Sequence, residues 1–227
     1  MSTNFASQLA RLRNDLVTQG NRVTDMALRA VESYFDRDVE KARGVVSGDS
    51  VIDRCDVEIE RASIDILALG ETDEHNIRAV LTIVKVNNEL ERIADIAVNI
   101  AEVTLDSGQT TEIVPATFRV MANSVIGMLR DGNRSLGQAD APLAERVLAF
   151  DDTVTRFKTE ISLDAQEKVA SGAFGVKFAF RLMTVVKNLE RIADHCTNIC
   201  EQLIYLETGR IVRHMPEGWG KPVMPEV

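Results

Sequence analysis

Asn88-Glu89-Leu90-Glu91-Arg92-Ile93-Ala94-Asp95 returns as Lys187-Asn188-Leu189-Glu190-Arg191-Ile192-Ala193-Asp194, and an Asn-Ile pair follows in both copies. The shared core, Leu-Glu-Arg-Ile-Ala-Asp-x-x-x-Asn-Ile, recurs at an offset of 99 residues in a 227-residue chain. A repeat of that length makes each half one copy of the same structural unit. On a helix of about 3.6 residues per turn, Val86, Leu90, Ile93, Ala97 and Ile100 gather into one apolar stripe. Leu189, Ile192, Cys196 and Ile199 do the same in the second copy. The expected architecture is all-α, with two tandem, pseudo-symmetric three-helix bundles.

Composition agrees. Hydrophobic residues make up 45% of the chain but aromatics only 5%, the balance of long amphipathic helices rather than of strands. The net charge of -9 repels a phosphate backbone and argues against nucleic acid as a partner. Met1–Leu16 has no apolar leader core, and no stretch approaches the roughly 20 apolar residues of a spanning helix, so a soluble, cytoplasmic protein is expected. Cys55, Cys196 and Cys200 are odd in number and lack a Cys-x-x-Cys, which suits a reducing compartment.

Outward from the motif, Phe5–Tyr34 carries apolar residues at helical steps and reads as the first helix. Asp38 is expected to cap a short continuation to Val46. Gly48 is then expected to break the chain before Asp49-Ser50 starts a second long helix to about Leu69. Thr72 or Asp73 caps a third helix through the motif to about Leu105. The second half repeats the plan over Pro115–Leu136, a short piece to Phe150, Asp151–Val169 and Ala173–Leu206. The units are therefore 1–108 and 115–208. Residues 209–227, with Pro216, Pro222 and Pro225, read as an irregular tail without a role in the core.

Opposite each apolar stripe the acids line up: Glu91, Asp95 and Glu102 in one copy, Glu190, Asp194 and Glu201 in the other, flanked by Asn99 and Asn198. Like charges four apart on a helix cost a few tenths of a kcal/mol. A bound cation would offset that repulsion, and hard oxygen ligands suit Mg²⁺, Ca²⁺, Mn²⁺ or iron. A solvated acidic face paired with Arg92 and Arg191 is the alternative. Asp49, Asp53, Asp56 and Glu60 form a second acidic row on one helix face, whereas its counterpart reads Asp151, Thr155, Lys158 and Ser162. His195 is read as a polar-boundary residue outside the site, and Cys196 and Cys200 as small core hydrophobes. No phosphate-cradling glycine loop, nucleophile elbow, zinc spacing or Glu-x-x-His pair is present, so no catalytic apparatus is visible.

The doubled motif, each copy ending a three-helix half, resembles the paired signatures of the PhoU family of phosphate-uptake regulators. Gly48-Asp49-Ser50-Val51-Ile52-Asp53 looks like that family's turn into its second helix, and Tyr205-x-x-x-Gly209 with Ile211-Val212-Arg213-His214 like its closing segment. The resemblance covers nearly the whole chain. It departs at Ala94 and Ala193, where the family has glycine, and at Thr155, where an aspartate is expected.

The resemblance implies a non-enzymatic negative regulator of phosphate uptake and of phosphate-starvation signalling. It implies carboxylate-bound metal, iron, manganese, zinc or magnesium, at Asp49, Asp53, Glu91 and Asp95 in the first half and Asp151, Glu190 and Asp194 in the second. The implied partners are the ATPase of a phosphate ABC transporter and a phosphate-sensing histidine kinase, with the protein peripheral to the membrane through them and itself a homodimer. Two other functions stay open: a metal-dependent helical-bundle phosphohydrolase, and a PhoU-like regulator of another transporter.

Overall fold

In a computed structural model that describes residues 3–70, 73–107 and 111–212, seven helices follow in order. They are α1 (Thr3–Asp36), α2 (Val39–Leu67), α3 (Glu74–Leu105), α4 (Ala116–Gln138), α5 (Ala141–Leu148), α6 (Asp151–Ala170) and α7 (Val176–Thr208). The first half is a three-helix bundle, α1 to α3. The second is the same bundle with its middle helix cut into α5 and α6. The equivalent helices meet across the seam, α1 against α4 and α3 against α7, while α2 flanks one half and α5 and α6 the other. No helix among the described residues is long and apolar enough to cross a membrane.

The caps explain where the helices start. Asp38 accepts from the Lys41 amide at 2.9 Å, Asp73 from Asn76 at 3.0 Å, and Asp140 from Leu143 at 2.9 Å. Each supplies an acceptor to an amide that the helix itself leaves unpaired. Asp73 is thus the cap of α3. Thr72 lies outside the described residues.

The expected break at Gly48 is not there: α2 runs unbroken from Val39 through Gly44 and Gly48. Glycine inside a helix costs only about 1 kcal/mol relative to alanine. Val45 and Ile52, on either side, are 2% and 3% exposed and hold the helix to the core. The corresponding interruption in the second half is real: α5 ends at Leu148 and α6 begins at Asp151, with the Ala149 amide closing on the Glu145 and Val147 carbonyls, whereas the turn before α5, left-handed at Ala139 (φ 54°), matches Arg37 of the first half (φ 55°). The tail also departs from expectation at one point: Val212 is buried and joins the core. Trp219 and His214 lie outside the described residues.

The core runs through the seam. All five residues of the first predicted stripe and all four of the second are buried, as are Cys196 and Cys200. Ala94, Ala97, Ala101 and Ala193 are fully buried, so α3 and α7, which pack together, carry small side chains within the core. Between α1 and α4 the approach is tighter still: a Cβ on Gly20 would stand 2.0 Å from Asn133 Oδ1. Asn133 is held by donating to the Val17 carbonyl at 3.1 Å and Asn21 Oδ1 at 2.8 Å.

Gly20→Ala gains helix propensity but displaces those two hydrogen bonds, and is expected to cost about 1–2 kcal/mol net. Gly48→Ala, whose Cβ would meet nothing within 4 Å, is expected to add up to about 1 kcal/mol. Denaturant midpoints at equal slope measure both. Equal gains at the two positions would refute the close approach at Gly20.

Candidate functional site

The acidic rows of the first half come together because α2 packs on α3. Asn87, one turn before Glu91, donates its amide to the Asp56 carboxylate at 2.6 Å and to the Asp56 carbonyl at 3.0 Å, tying the two helices at this face. Burial pushes the Asp49 carboxyl above the ordinary aspartate value, and the negative charges of Asp53 and Asp95 push it further. Asp56 is raised by burial, then by Glu60 and Asp53. Glu91 is raised by burial and by Asp95, Asp56 and Asp53, with Arg92 opposing. The charges of Asp53 and Asp95 therefore act on both Asp49 and Glu91. All four candidates of the first half form one electrostatic unit.

What neutralises this unit is thin. Arg92 lies 3.4 Å from Glu91 and 3.5 Å from Asp95, and its side chain is 54% exposed, so water screens it. Three buried oxygens accept no hydrogen bond, Asp49 Oδ1, Asn87 Oδ1 and Glu91 Oε2, the last of them facing only Arg92 Nε at 3.4 Å. Buried acceptors without a partner are rare, and each asks for something that supplies positive charge or a proton. Among the described residues no three His, Cys, Asp or Glu side chains already stand together as a ligand set. The first half offers instead a row of hard oxygen donors on two fixed helices, which fits a cation of the magnesium, manganese or iron kind.

The second half places its candidates on α6 and α7. Asp151 is raised by burial, Asp152 and Glu190. Asp194 is raised by burial, Asp151 and Glu190, while His195 and Lys158 act against the rise. These three acids also share one field, but a lysine is inserted into it. Lys158 Nζ stands 2.9 Å from each carboxylate oxygen of Glu190. None of the three acids has a buried oxygen lacking a donor.

A third polar cluster was not anticipated. Glu89 of α3 reaches across the seam to His195 Nδ1 at 2.7 Å and accepts from Asn198 at 3.0 Å. Burial pushes the Glu89 carboxyl up, yet these two hydrogen bonds, together with the charges of His195 and Arg92, hold the group below its ordinary value. Asn198, expected beside the outer acidic row, thus serves the junction of the halves. The available signal was the mismatch between copies, since Glu89 stands where the second copy has Asn188. Asn87 was likewise missed; its counterpart is Val186, so only the first copy has an amide there.

The PhoU domain matches this chain twice, over residues 16–104 and 118–203. A phosphate-specific transport system accessory protein PhoU homolog of Aquifex aeolicus is 32% identical over 91% of this chain and 94% of its own. PhoU homolog 1 of Thermotoga maritima is 29% identical over 94% of this chain and 93% of its own. Among solved structures, PhoU from Pseudomonas aeruginosa superposes with a TM-score of 0.84 at 26% identity, covering 91% of this chain and all of that one. The phosphate transport system regulatory protein PhoU from Streptococcus pneumoniae gives 0.85 at 24% identity, over 92% and 99% of the two chains, a likeness of fold. With both halves matched in sequence and the double bundle matched in space, the chain belongs to the PhoU family.

Proposed function

We propose that this protein is a non-enzymatic accessory protein of phosphate-specific transport that lowers phosphate uptake and phosphate-starvation signalling when phosphate is plentiful. The observation that carries the reading is the match of both halves to the PhoU domain, together with near full-length similarity to relatives named as accessory proteins of that transport system. In this reading the protein acts in the cytoplasm, as a homodimer, at the inner face of the membrane through its partners. Those partners are the transporter's ATPase and a phosphate-sensing histidine kinase. Two packed bundles sharing one core offer a rigid surface for such docking.

A cation belongs to this proposal in the first half. Asp49, Asp53, Glu91 and Asp95 would hold it, and Asn87 Oδ1 adds a neutral donor on the same face. When bound it supplies positive charge that the exposed Arg92 does not. The chain's own contribution is to keep the carboxylates on fixed helices, partly withdrawn from water, with two buried carboxylate oxygens that accept no hydrogen bond.

Deleting the gene tests the regulatory reading. Transcripts of the phosphate transporter operon are expected to rise in phosphate-rich medium toward their starved level, and complementation restores repression. Unchanged transcripts would overturn it. A change confined to some other transporter's operon would instead favour a PhoU-like regulator of that system.

A further inference from the structure

The two acidic faces, twins by descent of the repeat, differ in how their charge is balanced. Helix for helix, Asp49, Asp53, Asp56 and Glu60 of α2 correspond to Asp151, Thr155, Lys158 and Ser162 of α6. Asn87 corresponds to Val186, which is fully buried in the core. The second face has therefore lost acids at three positions and an amide at a fourth, and a base stands in the place of Asp56. That base is engaged: Lys158 Nζ is equidistant, at 2.9 Å, from both oxygens of Glu190, the counterpart of Glu91. In the first half Arg92 Nε approaches the buried Oε2 of Glu91 only to 3.4 Å. Buried carboxylate oxygens that accept no hydrogen bond, Asp49 Oδ1 and Glu91 Oε2, belong to the first face alone among the seven candidate acids, and of these Glu91 Oε2 has the distant Arg92 Nε.

We propose that the Lys158 ammonium is the built-in counter-ion of the second acidic cluster, standing in for the metal cation of the first, so that metal binding is confined to the half that carries Asp49, Asp53, Glu91 and Asp95. The proposal rests on the reading of the first face as a cation site. An ammonium and a divalent cation compete for the same carboxylates, and a divalent ion entering beside Lys158 meets a like charge and a Glu190 already bonded through both oxygens.

The test measures manganese per chain after equilibration of metal-free protein with Mn²⁺ and gel filtration, with helicity checked by circular dichroism. Glu91→Gln/Asp95→Asn is expected to lose the metal of the wild type, and Glu190→Gln/Asp194→Asn to leave it unchanged. Thr155→Asp/Lys158→Asp, which restores the first-half pattern, is expected to take up additional manganese that is lost again when Glu190→Gln is added. If that variant does not fold, Lys158→Gln removes the ammonium alone and is expected to bind manganese that the wild type second half does not.

Loss of wild-type metal in Glu190→Gln/Asp194→Asn would overturn the proposal. So would the absence of any gain on replacing Lys158. A metal-free wild type with a gain in the Lys158 variants would defeat the first-half cation reading while leaving the counter-ion role of Lys158 standing, so the two failures are distinguishable.

Discussion

Phe118→Ala is expected to lower the stability of the folded chain by about 3–5 kcal/mol, the largest effect of any single substitution considered for this protein. Phe118 is fully buried near the start of α4. Its ring meets Tyr34 at a centroid distance of 5.7 Å and Phe35 at 5.1 Å, both from the C-terminal end of α1. Such tilted and edge-to-face pairs contribute about 0.5–1.5 kcal/mol beyond the area they bury. The ring therefore pins one half to the other at one end of the seam, where a cavity cannot collapse without moving a helix. For a chain of this size the melting temperature should fall by roughly 2–4 °C per kcal/mol. Chemical denaturation at unchanged slope gives the free energy directly. A loss below about 1 kcal/mol would mean that α1 and α4 close over the missing ring, and that their contact there is not close-packed.

The fold was legible because the repeat and the helical period state the same thing independently. The stripe from Val86 to Ile100 and its echo from Leu189 to Ile199 predict inward faces, and all nine residues are buried. Gly48 shows where local signals stop. Glycine weakens a helix but does not end it unless the backbone must turn left-handed or another backbone must approach, and neither holds there. At the equivalent point of the second half, Ala149 and Phe150, α5 ends and α6 begins, although no glycine stands there. The flanking apolar residues are buried in both halves, Val45 and Ile52 in one and Leu148 and Val154 in the other, so burial beside the site does not decide between the two.

The site divides in the same way. Helical spacing brought Asp49 with Asp53, and Glu91 with Asp95, onto single faces; packing of α2 on α3 then joined the two rows, a step that sequence spacing does not fix. Lys158 was visible as a departure from the acidic row, but its bond to Glu190, 32 residues on, exists only through the α6–α7 contact. Glu89 and His195 are 106 residues apart and meet because equivalent helices pack across the pseudo-twofold seam. In a duplicated chain, the residues that differ between copies mark where the halves meet or where their chemistry diverges. The residues that agree include both the buried stripe and the outer acids Glu91 and Glu190, Asp95 and Asp194.

Saturating Mn²⁺ is expected to stabilise the wild type by about 2.7 kcal/mol at a concentration one hundred times its dissociation constant. That corresponds to roughly 5–10 °C in melting temperature, and Glu91→Gln/Asp95→Asn should abolish it. The sign of the pH dependence follows from the same carboxylates. Asp49, Asp56 and Glu91 have native values raised above 3.8, 3.8 and 4.5, so each holds its proton more tightly folded than unfolded. Their contribution is fully present below those ordinary values and is lost as pH climbs through the raised native ones. Glu89, lowered from 4.5, works in the opposite direction: its contribution is present above that value and is lost as pH falls through the lowered native one. Metal-free Glu91→Gln, which leaves Glu89 intact, should therefore lose less stability than the wild type between pH 4 and neutrality. Manganese should restore more to the wild type at neutral pH than at pH 4, where protons compete for the same oxygens. An equal rise in melting temperature for wild type and variant would place the ion elsewhere on an acidic surface. No rise in either at any pH would leave Asp49 and Glu91 as carboxylates whose raised values reflect burial and mutual repulsion alone.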